Sequence, residues 1–237
     1  MNEPFPDLIV ITGASKGIGR AVAEHFRDHD IHVINISRSP CTVDGVDNHA
    51  LDLTDLDAEK TLRDALGAKV SSGRISIIHN AAMMTNDTAD ATPTNSFQEV
   101  LQLNVVAPHI INQALIPLMQ PGSSVIYIGS TLSEKAVANT YSYVTSKHAV
   151  IGMMRATCQD LAGREIHTCC ICPGFTDTEM LREHVGNDSE VLRAIGGLST
   201  FGRLITPKEI AGTIAYAVGN PVVNGAVIHA NLGQVES

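Results

Sequence analysis

No stretch of this 237-residue chain approaches the roughly 18 consecutive apolar residues that a membrane-spanning helix needs, so no membrane partner is expected. The segment Met1 to Asp7 is acidic, holds two prolines and lacks the basic-then-apolar order of a secretory signal, which makes a cytoplasmic location the expectation. Basic side chains are in deficit: 16 Lys and Arg against 25 Asp and Glu leave a net charge of −9. That balance disfavours nucleic acid and anionic surfaces and points to a small-molecule partner. Five cysteines show no disulfide framework, nothing completes a paired CxxC zinc pattern, and ten histidines form no HExxH cluster, so no metal is expected. Cys169, Cys170 and Cys172 fall within an apolar run and read as small core residues. Repeats, low-complexity tracts and Pro/Gly linkers are absent as well. Residues 1–237 therefore read as one domain, long enough for a sizeable core.

What is present is an alternation of short β-branched runs with helical patterns. Expected strands are Leu8–Ile11, Val33–Ile36, Ala50–Leu51, Ile75–Ile78, Val125–Ile128, His167–Cys172 and Ala226–Ala230. Expected helices run near Ile18–His29, Asp55–Val70, Ser96–Met119 and Ser142–Leu161, with a further one opened by Thr206-Pro207. This order predicts an α/β fold: a doubly wound, mainly parallel Rossmann-type sheet with helices on both faces.

Directly after the first strand stands Thr12-Gly13-Ala14-Ser15-Lys16-Gly17-Ile18-Gly19, leading into the first helix. Glycines allow a tight turn and close backbone approach, and a helix N-terminus offers unpaired N–H groups and partial positive charge to a pyrophosphate. Spaced TGxxxGxG at a strand-to-helix junction, the turn is a candidate dinucleotide site.

With this turn the chain resembles the single-domain branch of the short-chain dehydrogenase/reductase family over nearly all its length. The resemblance implies that Gly13, Ser15, Lys16, Gly17, Ile18 and Gly19 cradle the cofactor, that Asp52 contacts adenine beside Leu53, and that Asn80-Ala81 lies against the dinucleotide. His79 and Ala82 depart from the family's NNAG at its first and last positions. At the end of the second strand, where NAD-binding members carry an acidic residue, this chain has Ser37-Arg38. Arg38, with Lys16, is suited to a 2′-phosphate, so NADP(H) is the expected cofactor.

Tyr143 and Lys147 are four apart in a helical pattern and so share a face. An adjacent ammonium and an oxidised nicotinamide would both favour the phenolate of a tyrosine whose ordinary pKa is about 10. The resemblance makes Tyr143 the proton-transfer residue and Lys147 a ribose-binding one. It gives Ser130, thirteen positions before Tyr143, the substrate oxygen, and Asn104 a water in a proton relay through the lysine. Tyr141 is a weaker candidate, with Thr145 rather than a lysine four residues on. Pro173-Gly174-Phe175-Thr176-Asp177-Thr178 resembles the family's PGxxxT, so Pro173, Gly174, Thr176 and Thr178 are expected at the nicotinamide.

The implied activity is NADP(H)-dependent interconversion of a carbonyl (ketone, aldehyde or 3-oxoacyl group) and an alcohol. A related enoyl reductase group widens the Tyr-to-Lys spacing, so four residues favours carbonyl over alkene reduction. A substrate lid is expected at about 179–204, with Gly186, Gly196 and Gly197 as possible hinges. Small residues Ala149, Gly152 and Ala156 on the Tyr143 helix, with the resemblance, suggest a homodimer or homotetramer. Three other readings stay open: a non-catalytic NADP(H)-binding regulator, an NAD-preferring alcohol dehydrogenase, and an epimerase or dehydratase.

Overall fold

The computed structural model describes residues 5–55 and 70–235. Strands β1 (Leu8–Thr12), β2 (His32–Ser37), β3 (Val46–Ala50), β4 (Ile75–His79), β5 (Ser124–Ile128), β6 (His167–Pro173) and β7 (Ala226–Ala230) form one sheet in the order β3-β2-β1-β4-β5-β6-β7. Every pairing is parallel. Alternating side chains feed two apolar clusters, one on each face. Val10, Ile77, Val125 and Tyr127 join Ile111, Val150 and Met154 on one side. Ile9, Ile11, Ile78 and Ile126 join Val22, Phe26 and Ile214 on the other. The helices supplying those partners are α1 (Gly17–Arg27), α3 (Ala107–Leu115), α4 (Tyr141–Asp160) and α7 (Pro207–Gly219); between them lie α2 (Thr94–Leu101), α5 (Glu179–Val185) and α6 (Ser189–Gly196). This is the doubly wound architecture expected. Strand order reverses between β1 and β4, where such sheets open a ligand crevice at the strands' carboxyl ends.

The third strand is Val46–Ala50 rather than Ala50–Leu51, in register with β2 from Val33↔Val46 to Ser37↔Ala50. Its sequence, Val-Asp-Asn-His-Ala, has no apolar run because it is a sheet edge. Part of its cohesion is polar, the Asn35 amide donating to Asn48 Oδ1 at 2.8 Å. The long helix expected at Ser96–Met119 starts at Thr94 and is interrupted by a π turn at Gln102–Val106 before α3, ending in a 3-10 turn at Ile116–Leu118. Pro108, in the first turn of α3, has no N–H for the carbonyl of Asn104, four residues back, so regular α pairing cannot run through this point. The helix expected near Asp55–Val70 falls on 56–69, outside the described residues. Cys169 packs on one face of the sheet, Cys170 and Cys172 on the other, all as free thiols.

His79 is buried at the end of β4. Its Nε2 meets Asn112 Oδ1 at 2.8 Å, the Asn112 amide donates to the Tyr127 hydroxyl at 2.7 Å, and the imidazole lies 4.9 Å from the Tyr127 ring. Burial holds this histidine neutral, its pKa pushed down to about 4 from 6.5. Between those values the unfolded chain binds a proton that the folded chain refuses, so this contribution is complete above pH 6.5 and is lost as pH falls toward 4. The gap corresponds to about 3 kcal/mol. Denaturant titrations from pH 7 to pH 4 should therefore show a steep fall in stability that is shallower in His79→Asn; parallel slopes would contradict it.

Candidate active site

The glycine turn is built by close approach. Gly13 and Gly17 have φ of +72° and +57°, the left-handed region that glycine enters without steric cost. At Gly19 a Cβ would lie 2.3 Å from the Gly13 carbonyl oxygen and 2.6 Å from Asn80 Nδ2. Asn80 braces the turn across the β1–β4 crevice, its amide donating to the carbonyls of Thr12 (2.9 Å) and Gly13 (3.0 Å). The Thr12 hydroxyl accepts in return from the backbone N–H groups of Asn80 and Ala81. Asn35 Oδ1 takes the N–H of Ala14 at 2.9 Å. α1 then begins without a side-chain cap, whereas α5, α6 and α7 are capped by Thr178, Asp188 and Thr206. Its first N–H groups thus lack the acceptor that those helices carry within the chain.

A cavity of about 850 Å³ runs from this turn along the ends of the strands. Of the residues singled out in the sequence, Gly13, Ser15, Lys16, Gly17, Ile18, Ser37, Arg38, Asp52, Leu53, Asn80, Ala81, Ser130, Tyr143, Lys147, Pro173, Gly174, Thr176 and Thr178 all line it. Gly19 and Asn104 do not. Gly19 lies behind the turn, where its missing side chain admits the Gly13 carbonyl. Asn104, in the π turn, is buried and fully engaged: its amide donates to Met83 O and Ser146 Oγ, and its Oδ1 accepts from Met83 N. It braces the segment after Asn80 and the residue before Lys147.

Ser130 opens a short 3-10 turn, Thr131–Ser133, by reciprocal capping: its Oγ accepts from Leu132 N and its N–H donates to Ser133 Oγ. This turn places Ser130 beside Tyr143 in the cavity lining, where its hydroxyl favours the phenolate. Tyr143 and Lys147 lie one turn apart on the buried side of α4. Tyr141 is instead 43% exposed and stacks on Phe97 with ring centroids 5.6 Å apart, away from the cavity.

Within the chain itself, burial sets the electrostatics of Tyr143. The phenol of Tyr143 is pushed up to about 12, because burial outweighs the lowering influence of nearby Ser130. Lys147 does not reverse this. Its ammonium lies over the face of the Tyr143 ring, 5.5 Å from the centroid, and donates to the Ile128 carbonyl at 2.7 Å. Burial lowers Lys147 to about 8, which still leaves it charged at pH 7. Helical spacing correctly put both groups on one face, but the direction of the tyrosine shift is decided by desolvation.

Arg38 is exposed at the cavity's other end. Lys16 lines the cavity too, but its ammonium pairs with Glu183 on α5 at 3.1 Å rather than joining Arg38, since that carboxylate lies within its reach. Asp52 Oδ1 accepts from both the backbone and hydroxyl of Thr54, which holds its carboxyl below the ordinary range. Thr178 Oγ1 caps α5 by accepting from Leu181 N, and the Thr176 hydroxyl donates to Gly174 O. The stretch 179–204, where a lid is expected, holds α5 and α6, with Gly186 (φ +80°) closing the first and Gly196 ending the second. Spacing did not reveal the bracing roles of Thr12, Asn35 and Ser146; only the threonine had a signal, its place before the first glycine.

Among the described residues no helix is long and apolar enough to cross a membrane, and no group of three His, Cys, Asp or Glu is placed to hold a metal ion.

A parallel sheet with a glycine cradle at its switch point and a Ser-Tyr-Lys group in the same cleft defines a nucleotide-dependent oxidoreductase class. A family model described as enoyl-(acyl carrier protein) reductase matches residues 13–234, and the chain belongs to the short-chain dehydrogenase/reductase family. It is 25% identical over 243 residues to a 3-oxoacyl-[acyl-carrier-protein] reductase of Vibrio harveyi, covering 95% of this chain and 96% of that protein. It is 26% identical over 254 residues to the chloroplastic NADPH-dependent aldehyde reductase 2 of Arabidopsis thaliana, covering 95% and 93%. Among solved structures, the aldohexose dehydrogenase of Thermoplasma acidophilum superposes with a TM-score of 0.87 at 25% identity, over 97% of this chain and 94% of that one.

Proposed function

We propose that this chain is an NADP(H)-dependent carbonyl reductase and alcohol dehydrogenase in which Tyr143 transfers the proton. One observation carries the reading: Tyr143, with Ser130 beside it and the Lys147 ammonium over its ring, lines the same cavity as the glycine cradle and Arg38. The cradle fits a dinucleotide. Gly13 and Gly17, which line the cavity, hold the left-handed backbone that side chains disfavour, and α1 starts uncapped. Gly13, Ser15, Gly17, Ile18 and the N-terminus of α1 would hold the pyrophosphate, Asp52 and Leu53 the adenine, and Pro173 to Thr178 the nicotinamide. When bound, the cofactor supplies the hydride.

In reduction, Ser130 and Tyr143 hold the carbonyl oxygen, and Tyr143 gives its proton to the oxygen as charge builds there. A phenol near 12 is fully protonated at neutral pH, yet more acidic than the alcohol formed when it protonates the developing alkoxide. Lys147 keeps positive charge beside the ring and offers its ammonium to ribose hydroxyls. Asn104 positions Lys147 through Ser146. The four-residue Tyr-to-Lys step favours a carbonyl over an alkene despite the description of the matching family model. The aldehyde and 3-oxoacyl substrates named for two relatives are both carbonyls. Self-association through the exposed small residues of α4, Gly152 and Ala156, belongs to the same reading.

Preference for NADP(H) rests on Arg38 and on the absence of an acidic side chain beside it at Ser37. Arg38→Ala should raise KM for NADPH about tenfold, the scale of one charge-assisted contact, and leave KM for NADH nearly unchanged. Equal effects on both cofactors would refute the assignment. NADPH consumption across ketones, aldehydes and 3-oxoacyl thioesters tests the activity itself, with Tyr143→Phe as the control; no consumption with any carbonyl would sink it.

A further inference from the structure

Beyond Ser130 and Tyr143 the cavity continues between the sheet and the lid, in a stretch that the dinucleotide groups leave free. Leu132, Met180, Val185 and Ile195 give this end apolar walls, with His184 on α5 beside them. Into the same lining comes Gln234, from the carboxy-terminal segment.

Its placement is built by backbone bonds. Thr200 N donates to Gly233 O at 3.0 Å, Val235 N to Leu198 O at 2.7 Å, and Ser199 and Gln234 form an antiparallel bridge. The Thr200 hydroxyl donates to Leu232 O at 2.9 Å. Gly233, with φ +63°, lies so close that a Cβ would stand 2.6 Å from Thr200 Oγ1. The tail is thus fastened to the stretch following α6, and Gln234 is held at the lid's edge of the cavity.

Its side-chain amide makes no hydrogen bond with any described residue, and Oε1 is shut off from solvent without a partner. Enclosed amide oxygens are ordinarily satisfied, and leaving one unpaired costs free energy that a suitable donor recovers. The terminal amide torsion is broad, and rotation about it turns Oε1 toward the cavity that Gln234 lines. Resting on the carbonyl-reductase reading, we propose that Gln234 is a specificity-determining residue: it accepts a hydrogen bond from a hydroxyl remote from the reacting carbonyl, in an uncharged substrate with an otherwise apolar body. An anionic group is disfavoured there, because the amide oxygen presents negative partial charge to it.

The test is steady-state kinetics with NADPH and ketones of one chain length ending in methyl, hydroxymethyl or carboxylate. The hydroxymethyl ketone should exceed both others in kcat/KM by about tenfold, since a site built to pair a hydroxyl discriminates against analogues lacking it. Gln234→Leu should bring the hydroxymethyl and methyl ketones to within about twofold of each other, while KM for NADPH stays unchanged. Gln234→Glu, which keeps an acceptor, should retain the hydroxyl preference and tolerate the carboxylate even less. Turnover without discrimination in the parent, or an unaltered hydroxyl-to-methyl ratio in Gln234→Leu, overturns the proposal alone. Failure to reduce any carbonyl would overturn the underlying reading with it.

Discussion

Tyr143→Phe is expected to lower kcat for carbonyl reduction by about three orders of magnitude, within the 10²–10⁴ range of a well-placed general acid, and to leave the Kd for NADPH within about twofold. The change removes one oxygen. Ser130 lines the same part of the cavity, and its hydroxyl remains to hold the carbonyl but has no acidic proton to spare at neutral pH. The ring stays, and with it the surface on which the Lys147 ammonium rests, so the ribose side of the site is undisturbed. Cofactor fluorescence titration and single-turnover kinetics separate the two effects. Retained kcat would remove Tyr143 from the chemistry, whereas lost NADPH binding would recast it as a cofactor ligand. The raised pKa also sets a direction with pH. Alcohol oxidation needs the phenolate, so its rate should climb with pH from neutrality, while reduction, which needs the phenol, should not gain.

The second large effect is expected at Gly19. In Gly19→Ala the new methyl would stand 2.3 Å from a backbone carbonyl and 2.6 Å from Asn80 Nδ2. Neither can give way cheaply: the carbonyl belongs to the left-handed Gly13, and the amide already bonds Thr12 and Gly13 at 2.9 and 3.0 Å. The turn and the start of α1 must separate, at a cost of about 1–3 kcal/mol for an overpacked site. The N–H groups at the start of α1 would move with them, so NADPH affinity should fall by at least about tenfold. Gly212→Ala in α7 is the matched control. Nothing lies within 4 Å of its Cβ position, and a helical Gly-to-Ala change gains up to about 1 kcal/mol. Equal thermal stability and NADPH affinity in Gly19→Ala and the parent would mean that the close approach at the turn is not required.

Where local signals were strong, the sequence was readable. β1, the glycine turn and α1 announce themselves by an apolar run, glycine spacing and apolar residues at four-residue steps, and Tyr143 with Lys147 by helical spacing. The misplacement of β3 has a physical cause: an edge strand need not be apolar, and the Asn35–Asn48 bond that helps secure it joins residues distant in the chain. The π turn at Gln102–Val106 hides because one extra residue per turn barely alters an apolar pattern. The tyrosine's upward shift could not be read from its neighbours in sequence, since it depends on how much of the sheet and α4 covers the hydroxyl. Gln234 carries no local signal at all, and its relevance appears only when the tail is seen fastened beside Leu198 to Thr200.

That fastening has a consequence for how reactants come and go. The lid's near end is tied as well, Asp177 N donating to Ile205 O and Ile205 N to Phe175 O. Any opening of α5 and α6 must bend between these two fastenings, and it would part the Lys16–Glu183 contact. Product escape would then be governed by the bending of this arch, and anything fused after Val235 would pull directly on its far footing.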